Sequence, residues 1–157
     1  MDWLETGNLP PGIIRLITPH PGEAGRLLGT NSAAVQSDRL GALRELSRRF
    51  GNCYVILKGS QTLIGRAKGP VYVNSSGNPI LAQGGSGDLL SGYLAGWLAQ
   101  PACQKDPLST IRYAVWQHGA AADLVAGQRP NGTIEDILNE LGSISQTAAP
   151  FLGQIDR

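Results

Sequence analysis

Strand-like and helix-like periods alternate along this chain, and that alternation restricts its fold more than any other feature. Ile13-Ile14-Arg15-Leu16-Ile17 and Tyr54-Val55-Ile56-Leu57 are short apolar runs bounded by Pro and Gly, the pattern of buried strands. Between them, a short helix is predicted over residues 23–28, stopped by Gly29, and a longer helical stretch opens at Ser32. There Leu40, Leu43 and Leu46 recur at helical spacing, with Arg39, Arg44, Glu45, Arg48 and Arg49 on the other face and Gly51-Asn52 as the stop. Thr62-Leu63-Ile64 and Val71-Tyr72-Val73 predict a hairpin. Residues 88–98 are apolar nearly all round, which predicts a helix buried on every side, with Gly92 and Gly96 leaving a flat stripe for close packing. Asp106-Pro107 is an N-cap followed by an N1 proline, opening a helix to about residue 126. A last short helix is predicted from Thr133 to Leu141, stopped by Gly142, and the tail after Ser143 is expected to be poorly ordered.

This order of elements argues an α/β fold. Two firm central strands are few for a doubly wound sheet, so part of the domain is expected to be missing. The 157 residues otherwise suffice for one domain with a sizeable core. A net charge of +1 argues against electrostatic capture of nucleic acid or of an anionic membrane. No signal peptide and no apolar run of spanning length is visible, which predicts a cytoplasmic protein. Cys53 and Cys103 form neither a metal nor a redox spacing, and Cys53, at the edge of an apolar run, is expected in or near the core.

Chemistry concentrates in three segments. Gly84-Gly85-Ser86-Gly87-Asp88 lies where a loop becomes a helix. The first N–H groups of a helix lack intrahelical partners and carry partial positive charge, and glycines let a phosphate approach them closely. Asp88 either favours the helix N-terminus electrostatically or does work beside the anion, as a base that deprotonates a hydroxyl or as an indirect magnesium contact. The spacing is neither that of a Walker loop nor that of a dinucleotide fingerprint. In Thr18-Pro19-His20-Pro21-Gly22-Glu23, two prolines hold His20 at the end of a strand, where α/β sheets bind ligands. His20 suits a polar ligand, whereas Glu23 could be only a cap. Lys58-Gly59-Ser60-Gln61-Thr62 leaves a buried strand with free N–H groups, an ammonium and a hydroxyl. It could hold a nucleotide or simply turn the chain. Asn74-Ser75-Ser76-Gly77-Asn78-Pro79 could line a crevice or be a plain turn, and His118 is expected to be structural.

Taken together and in this order, ITPHPGEAGRLLG (17–29), VILKGSQTLI (55–64), GNPILAQGGSGDLLSGYLAGWLAQ (77–100) and AVWQHGAAADLVA (114–126) resemble the ADP/ATP-dependent NAD(P)H-hydrate dehydratase family. The resemblance implies a ribokinase-like sandwich of helices around a mostly parallel sheet, with residues 1–157 as the C-terminal portion of one domain. It also implies a repair reaction, in which ADP or ATP phosphorylates the added hydroxyl of hydrated NADH or NADPH and phosphate is then eliminated. By motif, His20 would touch the hydrated cofactor, and Lys58, Gly59, Ser60, Gln61 and Thr62 would cradle the adenine nucleotide. Gly87 would contact that nucleotide too, and Asp88 would face the substrate hydroxyl as the base; the glycine-rich helix start adds Gly84, Gly85 and Ser86 as candidate phosphate binders. Magnesium is expected with the nucleotide, and no dedicated metal ligands are visible. The family implies small-molecule substrates, a homo-oligomer and often an upstream epimerase domain. Family domains are longer than this chain, so the chain alone is expected to be weakly active or inactive. A kinase of the same superfold, for instance on hydroxyethylthiazole, and a non-catalytic nucleotide-binding module are the alternatives.

Overall fold

The structure, a computed structural model, describes residues 12–144. Pro10-Pro11-Gly12, which the sequence reads as a turn, and the tail after Ser143 lie largely outside them. The chain divides into two compact units. One runs to Ser75 and takes in Gln104–Leu108; the other holds Ser76–Cys103 and the chain from Ser109 onward.

The first unit contains β1 (Leu16–Ile17), α1 (Pro21–Leu28), α2 (Ser32–Ser37), α3 (Arg39–Arg49), β2 (Tyr54–Leu57), β3 (Thr62–Gly65) and β4 (Val71–Asn74). Its strands lie in the order β1-β2-β3-β4. β1 runs parallel to β2, with Leu16 opposite Tyr54, whereas β2–β3 and β3–β4 are antiparallel. Among the described residues the sheet is therefore mixed, not mostly parallel as expected. The cause is local: short turns join β2 to β3 and β3 to β4, and a short turn can only reverse the chain. The expected strand over residues 13–17 shrinks to Leu16–Ile17, since Ile13 is exposed and unpaired with β2.

Helix α3 covers one face of this sheet. Leu43 and Leu46 are fully buried beside Val35, Phe50, Val55 and Leu57, each such side chain contributing about 1.5–3 kcal/mol by leaving water. Leu40, read as part of the same stripe, is instead half exposed. A buried hydroxyl completes the packing. Ser47 Oγ donates to the Cys53 carbonyl at 2.6 Å and accepts from the Ala67 amide at 2.8 Å, so no polar group is stranded there.

Cys53 is 2% exposed. Burial pushes its thiol up to about 11, against the weaker opposing effects of Arg15, its own backbone hydrogen bond and Arg66. Since the thiolate is the reactive form, a thiol-exchange reagent at neutral pH should modify the partly exposed Cys103 at least about tenfold faster than Cys53. Equal rates in a mass-spectrometric time course would show that the β2 end of this core opens readily.

The second unit contains a 3-10 turn (Pro79–Ala82), α4 (Ser86–Leu98), α5 (Pro107–Gln128, from Ser109 on) and α6 (Ile134–Leu141). Its core joins Ala121, Ala122 and Val125 of α5 to Ile137 and Leu141 of α6, with Ile80, Leu81, Leu89 and Tyr93 packed against them. Aromatic edges meet along α4 and α5: Trp97 sits 6.2 Å from Tyr93 and 5.4 Å from Tyr113, both T-shaped. The prediction that α4 is buried all round is wrong. Only Ser86, Leu90 and Leu94 are buried, and Asp88, Gly92 and Gly96 are exposed. Apolar residues around a helix report what it can bury, not whether an element is present to cover each face.

Candidate functional site

The parallel pairing of β1 with β2 brings the C-terminal ends of two strands side by side, and with them the loops that follow. The amide of Lys58 donates to the Pro19 carbonyl at 2.9 Å, tying Lys58-Gly59-Ser60-Gln61-Thr62 to Thr18-Pro19-His20-Pro21-Gly22-Glu23. Lys58 Nζ lies 3.8 Å from Glu23 Oε2.

His20 does more than wait for a ligand. It is the N-cap of α1, which starts at Pro21 and not at the expected residue 23. Its Nδ1 accepts from the amides of Gly22 (3.0 Å) and Glu23 (3.3 Å), while Glu23 Oε2 accepts from the His20 amide at 2.8 Å, a reciprocal capping box. A ring that accepts at Nδ1 carries its proton on Nε2, which lies 3.5 Å from Glu23 Oε1. His20 and Glu23 are thus both ligand candidates and a mutual cap, and half of the imidazole surface stays open.

The turn after β2 depends on a residue that helical periodicity had assigned to a solvated face. Arg39 donates to the carbonyls of Ser60 (2.6 Å), Leu57 (3.2 Å) and Lys58 (3.5 Å), and its Nε is buried without a partner among the described residues. It shapes a turn with Gly59 at φ 132° and Gln61 at φ 56°, the left-handed region that Gly adopts readily and Gln does not. Thr62 Oγ1 donates back to the Gly59 carbonyl at 3.1 Å. One signal could have identified Arg39: it is the first residue of α3, where the helix dipole disfavours a cation.

In the second unit, Gly85 is the N-cap of α4, at φ 91° and without a side chain to cap the helix. Helices α1, α2, α3 and α6 are capped by His20, Asn31, Asp38 and Thr133. Uncapped N–H groups in a first turn are hydrogen-bond donors with the dipole's positive end behind them. Gly84, Gly85 and Asp88 are exposed, Gly87 is half-buried, and Ser86 lies beneath them, 6% exposed. Asp88 opens a groove of about 550 Å³ that continues along α4 past Leu89, Gly92, Tyr93, Gly96 and Trp97. Burial is therefore not what distinguishes this carboxylate. Its place beside uncapped amides, at the head of an apolar groove, is.

His118 and Ser86 form the floor of this segment. His118 is 5% exposed, and its ring lies against the backbone of Ser86. Burial lowers the imidazole to about 4, the contact with Ser86 opposing this in part, so the ring is neutral at physiological pH. Among the described residues no group of three or more His, Cys, Asp or Glu side chains converges as a metal cage. No helix among them is long and apolar enough to cross a membrane.

The family pattern described as NAD(P)H-hydrate dehydratase matches residues 13–144. The chain is 48% identical over 123 residues to the ADP-dependent (S)-NAD(P)H-hydrate dehydratase of Neisseria meningitidis, covering 77% of this chain and 40% of that protein. It is 42% identical over 114 residues to the bifunctional NAD(P)H-hydrate repair enzyme of Moorella thermoacetica, covering 73% of this chain and 21% of that one. In three dimensions it is similar to the ADP/ATP-dependent NAD(P)H-hydrate dehydratase of Bacillus subtilis co-crystallized with ATP and magnesium. The TM-score is 0.70 and the identity 34%, over 82% of this chain and 47% of that one. The chain thus spans less than half the length of each of these relatives.

Proposed function

Because this chain belongs to the NAD(P)H-hydrate dehydratase family, we propose that it carries the phosphate-gripping loop and the base of an ADP/ATP-dependent repair of hydrated NADH or NADPH. The single observation that supports this most is the uncapped start of α4, where exposed glycine amides and Asp88 occupy one helical turn. In this reading residues 1–157 are the C-terminal portion of one ribokinase-like domain, acting in the cytoplasm and as a homo-oligomer.

The amides of Gly84, Gly85, Ser86 and Gly87 hold the nucleotide's phosphates, and Lys58, Gly59, Ser60, Gln61 and Thr62 cradle the nucleotide. His20 touches the hydrated cofactor with its open ring face. Asp88 takes the proton of the added hydroxyl as that oxygen forms a bond to the terminal phosphorus and the bridging P–O bond breaks, leaving AMP from ADP or ADP from ATP. The phosphorylated carbon then loses phosphate, and the neighbouring carbon a proton, which restores the nicotinamide double bond. Phosphate is a better leaving group than hydroxide, which is the reason for the first step. Magnesium bound to the phosphates would neutralise their charge. It would ride on the nucleotide, since such ions keep several waters and need few protein ligands.

Product analysis with hydrated NADH, ADP and magnesium tests this reading. Since the chain spans less than half of these relatives, turnover is expected to be slow, with reduced nicotinamide and inorganic phosphate formed in equal amounts. Accumulation of a stable phosphorylated product would instead make the protein a kinase of the same superfold, and ADP binding with no consumption of either substrate would leave it a nucleotide-binding module.

A further inference from the structure

The segment that ends in Gly84–Asp88 is fastened at both ends, and the fastenings come mainly from α5. At its start, Ser76 Oγ donates to the Trp116 carbonyl at 2.8 Å. The Asp123 carboxylate accepts from the Gly77 amide and from Asn78 Nδ2, each at 2.8 Å. Gly119 admits this close approach, since a Cβ there would lie 2.7 Å from the Ser76 carbonyl carbon. Asn78 Oδ1 then accepts from the Ile80 amide at 3.0 Å and caps the 3-10 turn. At the far end, Gln83 Nε2 donates to the Gly132 carbonyl at 2.8 Å, and His118 meets the backbone of Ser86.

Two features are poorly explained by stability alone. Asp123 is exposed, yet both of its oxygens serve one loop. The Nε2 atom of His118 is buried with no hydrogen-bond partner among the described residues, which an apolar side chain would avoid. Polar groups in such places are expected where an exact loop geometry is needed, because binding is strongest when the donors are already in position.

We propose that Asp123 and His118 are positioning residues that hold Gly84–Asp88 in the conformation in which its amides meet a nucleotide's phosphates. This rests on the nucleotide reading of that segment. Neither side chain acts on the nucleotide directly: Asp123 works through Gly77 and Asn78, and His118 through Ser86.

Asp123→Asn keeps the side chain's size and replaces one accepting oxygen with a donor. His118→Gln removes the ring beneath Ser86. The test measures backbone amide order parameters by NMR at Gly84, Gly85 and Gly87 in the unliganded protein, with Ala121 and Ala122 of α5 as reference, and magnesium-ADP affinity by calorimetry. The expected result in both variants is order parameters at the three glycines falling from about 0.85 to below about 0.6, with the α5 values unchanged and ADP affinity lower by about tenfold. Order parameters at the three glycines equal to those of the unsubstituted protein, or lowered with ADP affinity unchanged, would overturn the proposal. If the unsubstituted protein binds no ADP, the nucleotide reading fails by itself and the order parameters alone decide whether Asp123 and His118 fix the segment.

Discussion

Asp88→Asn is expected to lower the turnover of hydrated NADH by about 10²–10⁴-fold, the contribution of a positioned general base. The substitution keeps the volume and planar shape of the side chain and removes only the proton acceptor. The amides of Gly84 to Gly87 belong to the backbone and persist, as does the groove along α4. ADP affinity should therefore hold or rise slightly, because a carboxylate near the phosphates repels them and an amide does not. Initial rates together with calorimetry separate the two effects. Turnover within about tenfold of the unsubstituted protein would assign Asp88 to helix electrostatics, the humbler role open to any first-turn acid.

Acid should destabilise the fold through His118 by about 3 kcal/mol, the free energy of lowering its pKa from 6.5 in the unfolded chain to about 4 in the folded one. The sign follows from the neutral buried ring. Above pH 6.5 neither state binds the proton and the stability is fully present. As pH falls toward about 4 the unfolded chain binds it first, and stability is lost over that window. Asp136 acts in the same sense at lower pH, since its hydrogen bond to the Thr133 backbone is the main cause holding its carboxyl below the usual range. Urea unfolding across that range should show a steep loss in the unsubstituted protein and a flatter one in His118→Gln. Identical slopes would mean that water reaches the ring.

Local signals in the chain proved strong where packing agreed with them. Tyr54–Leu57, the hairpin of Thr62–Gly65 with Val71–Asn74, and the helix from Pro107 all form close to where period and punctuation placed them, whereas the helical stretch opening at Ser32 breaks at Asp38 into α2 and α3. Ile13 did not join a strand, because β2 offers pairing only to Leu16 and Ile17 and an apolar residue without a partner strand stays in the loop. Pro107 as a helix opener and Thr133 as a cap were legible because both signals are local to the first turn of a helix. Arg39 was not legible in the same way. Its partners, the carbonyls of residues 57, 58 and 60, lie about twenty positions away, and helical period alone assigns an arginine to water. His20 was legible as a site residue but not as a cap, a task usually given to Ser, Thr, Asp or Asn. The apolar ring of α4 misled about burial, and so about why Asp88 matters. His118 was read as structural. Its floor position under Ser86 could be seen only once α5 and the start of α4 were placed together.

The grip of the α4 entrance on a nucleotide can be observed directly by adding magnesium-ADP to the isotopically labelled protein and following its backbone amide resonances. The expected result is saturable shifts at Gly84, Gly85, Ser86 and Gly87, with a second set at Lys58 to Thr62. Saturable shifts that spare Gly84 to Gly87, or no shifts at all at millimolar ADP, would contradict it.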